Sequence, residues 1–88
     1  WGAKLIRANL TGANLSKSNL GSVDLSGAYL SDANLSSADF SNTKLISVNF
    51  ENATLSFSNF NGAEFEDVNI KGATLNNVSS NGAKNAPF

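Results

Sequence analysis

Glu64, Glu66 and Asp67 form the densest group of ionisable side chains in the chain. Paired carboxylates can do general acid–base work when one is held protonated beside a substrate pocket. These three alternate sides of a strand, and no pocket-forming loop is recognisable beside them. Serines are abundant, but a nucleophilic serine needs a base, and the chain has no His and no Cys. The same absences exclude zinc fingers, disulfide frameworks and thiol chemistry. The Asp and Gly pattern is too sparse for a calcium turn, and no phosphate-cradling glycine motif occurs. Asn-x-Ser/Thr sequons at Asn9, Asn14, Asn34, Asn52 and Asn77 arise from a repeated Asn-Leu-Ser theme and are not read as glycosylation sites. No catalytic residue, metal site or cofactor is expected.

The elements that position these side chains follow from the whole chain. Its 88 residues allow one small domain. Six basic and seven acidic residues give a net charge of −1, which argues against a basic surface for nucleic acid and against a strongly acidic one. No apolar run approaches the ~20 residues of a membrane span. A chain starting at Trp1 is expected to be a processed product or a fragment, because initiator Met is removed before small residues.

The ordering principle is a period of five. Every fifth residue from Leu5 to Leu75 is large and apolar, fifteen in all. Two residues earlier, from Ala3 to Val78, sixteen positions hold small or β-branched residues. The residue between is usually polar, as in Asn9, Asn14, Asn19, Asp24, Asn34 and Asp39. Five fits neither a helix nor a flat strand. Two inward residues in five suit a backbone that turns a corner every five residues. Gly12, Gly27, Gly62, Gly72 and Gly82 share one phase with Asp32, Asn42, Asn52, Asp67 and Asn77. These residue types tolerate the positive φ that the third residue of a type II turn requires.

The stretches Ala8-Asn9-Leu10, Ala13-Asn14-Leu15, Ala33-Asn34-Leu35 and Ala38-Asp39-Phe40 give the chain its resemblance to the pentapeptide-repeat family. The likeness runs from residue 3 to about 78. It implies an all-β fold, a right-handed quadrilateral β-helix of twenty residues per coil and about four coils, over residues 1–78. Residues 79–88 are expected to be a C-terminal tail or cap, since Ser80 and Asn85 break the large-apolar phase. Twenty residues per coil predict four core columns. They are Leu5, Leu25, Leu45 and Phe65; Leu10, Leu30, Phe50 and Ile70; Leu15, Leu35, Leu55 and Leu75; and Leu20, Phe40 and Phe60. Trp1 and Phe88 are candidate lids over the two core ends.

In a solenoid, function sits on outward positions. Eight of the thirteen charges fall on one face. Its column before the core reads Lys4, Asp24, Lys44, Glu64, Lys84, alternating in sign. Alternation between layers removes like-charge repulsion and sets register. Arg7, Glu66, Asp67, Ile6 and Ile46 complete the cluster. Charge beside exposed isoleucine also makes it a candidate protein-contact face: Lys4, Ile6, Arg7, Asp24, Lys44, Ile46, Glu64, Glu66 and Asp67. The opposite face is nearly uncharged, with Lys17 alone, and Phe57 and Tyr29 are expected outside the core.

The expected function is a non-enzymatic structural or protein–protein interaction module: a scaffold, spacer or linker, alone or within a larger assembly. The expected partner is another protein, without direct nucleic-acid contact, and the open coil ends allow end-to-end self-association. The resemblance implies an alternative, because some members of the family mimic B-form DNA and bind DNA gyrase, protecting it from quinolones. Family members are also frequent in the thylakoid lumen. Cytoplasm, or lumen or periplasm after processing, are the locations considered.

Overall fold

Five-residue periodicity becomes architecture through two sets of backbone hydrogen bonds. The computed structural model describes residues 4–88. The first set closes turns. The carbonyl of a core residue accepts from the N–H three residues on, as in Ala8 to Leu5 (3.1 Å), Ala28 to Leu25 (2.9 Å) and Ala53 to Phe50 (2.9 Å). The second set joins layers twenty residues apart. Leu5 N–H donates to Asp24 O at 2.8 Å, and Tyr29 N–H donates back to Ala8 O at 2.9 Å. Parallel bridges therefore run in four columns: Lys4–Asp24–Lys44, Asn9–Tyr29–Asn49–Asn69, Asn14–Asn34–Thr54–Thr74 and Asn19–Asp39–Asn59–Ser79. The predicted core columns stand one residue after these.

Positive φ falls on the expected phase. Gly12 (71°), Asn42 (56°) and Asp67 (56°) all adopt it, and so do Arg7 (59°), Lys17 (63°) and Phe57 (62°). The left-handed region is demanded by the turn whatever residue occupies it. Non-glycine residues there carry strain of about 1–2 kcal/mol. Gly62 has a second reason to be glycine, because a Cβ there would collide with the Asn42 side-chain oxygen of the layer below.

The turn bond from the N–H three residues on is missing at Val48 and Val68. Branching at Cβ does not by itself open the turn, because Val23 and Thr43 close it at 3.2 Å. At both open places the chain extends into strands, β1 (Lys44–Ile46) and β2 (Glu64–Glu66). They pair in parallel with Lys44 opposite Glu64, Leu45 opposite Phe65 and Ile46 opposite Glu66.

The core sits inside the columns. Leu25, Leu30, Leu35, Phe40, Leu45, Phe50, Leu55 and Phe60 are wholly buried. Phe40 and Phe60, one layer apart, stack at 4.6 Å with rings 5° from parallel, and Phe50 meets Phe40 edge-on at 5.9 Å. Small inward positions held by a hydroxyl residue are satisfied locally: Thr43 Oγ1 donates to Phe40 O at 2.5 Å and Ser58 Oγ to Leu55 O at 2.6 Å. A buried hydroxyl thus replaces alanine without leaving an orphan polar atom. Not all fifteen large residues are fully buried. Leu5, Leu10 and Leu15 at one end, and Ile70 and Leu75 at the other, are half-buried because, among the described residues, no layer covers their outer side.

Pairing continues past residue 78. Ser79 bridges Asn59 and Lys84 bridges Glu64. Asn61 Oδ1 ties this last stretch down, accepting from Ser79 Oγ at 2.6 Å and Asn81 N–H at 2.8 Å.

Candidate protein-contact face

Lys4, Asp24, Lys44, Glu64 and Lys84 occupy one parallel ladder, each bridged to the next. The ladder spacing between neighbouring backbones is about 4.8 Å, so successive side chains carry opposite charge at cross-strand range. Asp24 is the best-embedded member. The Ser26 hydroxyl and N–H hold its carboxyl below the ordinary value of 3.8, with smaller contributions from Lys44 and Lys4. The N–H contact is 3.0 Å long. The Ser26 hydroxyl is buried and falls short of hydrogen-bond geometry with any described group. It acts on Asp24 as a nearby dipole.

The Asp24–Ser26 contact belongs to a wider device. A carboxamide or carboxylate before the core residue accepts from the N–H two residues on: Asn19 from Gly21 (3.0 Å), Asp39 from Ser41 (2.8 Å), Asn59 from Asn61 (2.8 Å). These Asx turns supply an acceptor for an N–H at the corner. They explain the Asn/Asp preference at this phase, for which the sequence offers only the pattern. In the sequons at Asn9, Asn14 and Asn34 the same oxygen also accepts from the Thr11, Ser16 or Ser36 hydroxyl at 2.8–2.9 Å.

Of the remaining face residues, Ile6 is 49% exposed. Ile46 is half-buried within β1, while Arg7, Glu66 and Asp67 are exposed. Glu66 faces Ile46 across the ladder, so it has no cationic ladder partner. Arg7 leans over the next layer, its side chain covering Gly27, where an added Cβ would lie 3.2 Å from Arg7 Cγ. Phe57 and Tyr29 lie outside the core, at 64% and 54% exposure, away from this face.

Of the two candidate lids, Trp1 lies outside the described residues. The Phe88 ring rests 5.6 Å from Phe60 and 5.4 Å from Phe65, with 40% exposure. Asn85, at φ 58°, departs from the phase of every other left-handed residue and turns the tail back over the core end. This corrects one expectation. A pocket does stand beside the carboxylates, an open cavity of about 350 Å³ lined by Phe65, Glu66, Asp67, Val68, Asn85 and Pro87. Its outer wall comes from the tail, 18 or more residues along the chain from Asp67, so inspection of the neighbouring sequence misses it.

Among known proteins, the chain is similar to a pentapeptide repeat protein from the Arabidopsis thaliana thylakoid lumen. The two share 22% identity and a TM-score of 0.55, over 94% of this chain and 61% of that one. At that identity the likeness is one of fold. A pentapeptide repeat protein from the cyanobacterium Cyanothece shares 30% identity over 92% of this chain and 63% of its own, with a TM-score of 0.39. A plasmid-mediated fluoroquinolone resistance protein shares 21% identity over 88% of this chain and 50% of its own, with a TM-score of 0.47. The chain thus spans between half and two thirds of the length of each. No curated protein matches it. The pattern of the pentapeptide repeat region matches residues 3–80, and with the layered ladders it places the chain in the pentapeptide-repeat family.

Proposed function

We propose that this chain is a non-enzymatic protein-interaction module, a scaffold or spacer built on a right-handed quadrilateral β-helix of about four coils. Four bridge columns with a constant twenty-residue step support that architecture. One observation carries the functional reading. The column Lys4–Asp24–Lys44–Glu64–Lys84 alternates in sign and is flanked by an exposed isoleucine, Ile6, while the opposite face has a single charge. Alternating charge fixes the register of an incoming partner, and the apolar side chains between contribute the burial. Phe88 caps the late end, a role supported by its packing on Phe60 and Phe65. The DNA-mimic alternative calls for a strongly acidic surface, and a net charge of −1 does not favour it.

The test is a photo-crosslinking residue placed at Ile6 and, in a second protein, at Ser36 on the opposite face. In extracts of the source cells, adducts should form from Ile6 and not from Ser36. Equal adducts from both, or none from Ile6, would overturn the reading.

A further inference from the structure

Charge on the contact face is ordered by layer as well as by column. One layer carries Lys4 and Arg7, the next Asp24, the next Lys44, and the fourth Glu64, Glu66 and Asp67. All of these except Asp24 are exposed. The face therefore runs from basic to acidic. Within one chain the two extremes stand three layers apart, about 14 Å at the ladder spacing of about 4.8 Å, so they do not pair with each other.

Such a surface is complementary to itself when reversed. Two copies of one face meet about a two-fold axis, and two directions of that axis keep their layers aligned. With the axis along the stack, each layer meets its own copy, and Lys4 and Arg7 stand against Lys4 and Arg7. With the axis along the strands, the layer order reverses and each column faces itself. Register then decides the outcome. Centred on the Lys44 layer, the pairing opposes Lys4 to Lys84, Asp24 to Glu64 and Lys44 to itself, all of like charge. Centred between the Lys44 and Glu64 layers, it opposes Lys44 to Glu64 and Asp24 to Lys84, but sets Asp67 against Ser47. Centred between the Asp24 and Lys44 layers, it opposes Lys4 to Glu64, Asp24 to Lys44 and Arg7 to Asp67, each pair made twice by symmetry. This last register matches the ladder and the corner charges together. Glu66, whose neighbour within the chain is Ile46, then lies against Ile6 of the second copy, with Lys4 and Arg7 on either side.

We propose that this face pairs with the same face of a second copy of the chain, antiparallel, about a two-fold axis between the Asp24 and Lys44 layers. The proposal rests on the protein-contact reading of the face and names the partner. Opposed charges fix the register, and Ile6 and Ile46 supply the apolar burial. The contact spans four layers of about 4.8 Å each, a size that belongs with weak, salt-dependent pairings rather than permanent dimers.

Sedimentation equilibrium of the purified chain tests this. At low salt the apparent mass should rise with concentration from that of one chain towards that of two. Raising salt to about 0.5 M should weaken association at least about tenfold. Arg7→Asp and Asp67→Arg should each weaken it severalfold, because each sets like charges opposite one another at both symmetric positions. Arginine and aspartate already hold positive φ at this phase, in Arg7, Asp32 and Asp67, so both variants keep the turn, which thermal melts by circular dichroism verify. An equimolar mixture of the two variants should associate as tightly as the parent, since in a mixed pair every substituted position faces the opposite charge. Restoration by mixing requires contact between chains at these two positions. An apparent mass of one chain up to about 1 mM, or a mixture no tighter than either variant alone, would overturn the proposal. Only the purified chain is present, so this outcome is independent of the adducts formed in extracts: a chain that stays monomeric here can still crosslink from Ile6 to another protein.

Discussion

Leu5, Leu25 and Leu45 are one residue type in one column, differing only in what covers them. Leu25 and Leu45 are wholly buried, each between a layer below and a layer above; Leu5 is half-buried, with no layer on its outer side among the described residues. Leu→Ala in a closed core loses about 2–5 kcal/mol, part of it from the void left behind. At Leu25 the void is enclosed by the neighbouring layers, so about 3 kcal/mol is expected, and the same at Leu45. At Leu5 water enters the space, the cavity contribution disappears, and about half that loss remains. A domain of 88 residues has a stability of about 4–13 kcal/mol, so each variant still folds in most of that range. Urea denaturation followed by circular dichroism is the assay. With a slope of ~1.5 kcal/mol/M the midpoint falls by ~2 M for Leu25→Ala and Leu45→Ala, and by ~1 M for Leu5→Ala. Equal losses at Leu5 and Leu25 would refute the reasoning, since they would mean that Leu5 is covered in solution.

Other expectations concern the surface. Lys44→Glu places three acidic side chains in succession on the ladder; a loss of ~0.5–1 kcal/mol at low salt, largely recovered near ~1 M salt, is expected in thermal unfolding. The Asp24 carboxyl is held below its ordinary value in the folded chain, so its contribution to stability is complete above the usual carboxylate range. That contribution is lost as pH falls through the lowered folded value. Melting temperature against pH should accordingly drop less steeply in acid for Asp24→Asn than for the parent. Phe57 combines φ of 62° with 64% exposure. Phe57→Gly should raise stability by ~0.5–1 kcal/mol, the relief of left-handed strain exceeding the entropic cost of glycine, read as a rise of several degrees in melting temperature.

Much of this fold is legible because period five assigns each residue type a place. Large apolar residues point inward, small ones fill the corner, and Gly, Asn or Asp sit at positive φ. The charge ladder follows once a twenty-residue step is adopted. Other features escape such a reading for physical reasons. Valine closes the turn at Val23 and leaves it open at Val48 and Val68, so the residue type at that phase does not distinguish the two forms. The acceptor role of Asn9 or Asp39 depends on side-chain rotamers that periodicity does not encode. The groove beside Glu66 depends on one backbone dihedral at Asn85 and on contacts of Pro87 and Phe88 with residues about twenty positions earlier. Nothing in the local sequence near Glu66 carries that information.

The bridge columns also set the unit by which such a chain can grow or shrink. Removal of five residues would leave every local turn intact, since core, corner and polar phases all return. It would nevertheless move everything downstream onto the neighbouring column. A deletion between Asp24 and Lys44 would take Lys44 out of the line of Asp24 and break the sign alternation there, and one between Phe40 and Phe60 would take Phe60 off Phe40. Loss or duplication of twenty residues keeps each column in line, although a single added layer reverses the charge order beyond it. Only forty residues restore both packing and sign. The pentapeptide is therefore the unit of local conformation, the twenty-residue layer the unit of packing, and a pair of layers the unit of inheritance for this charged face.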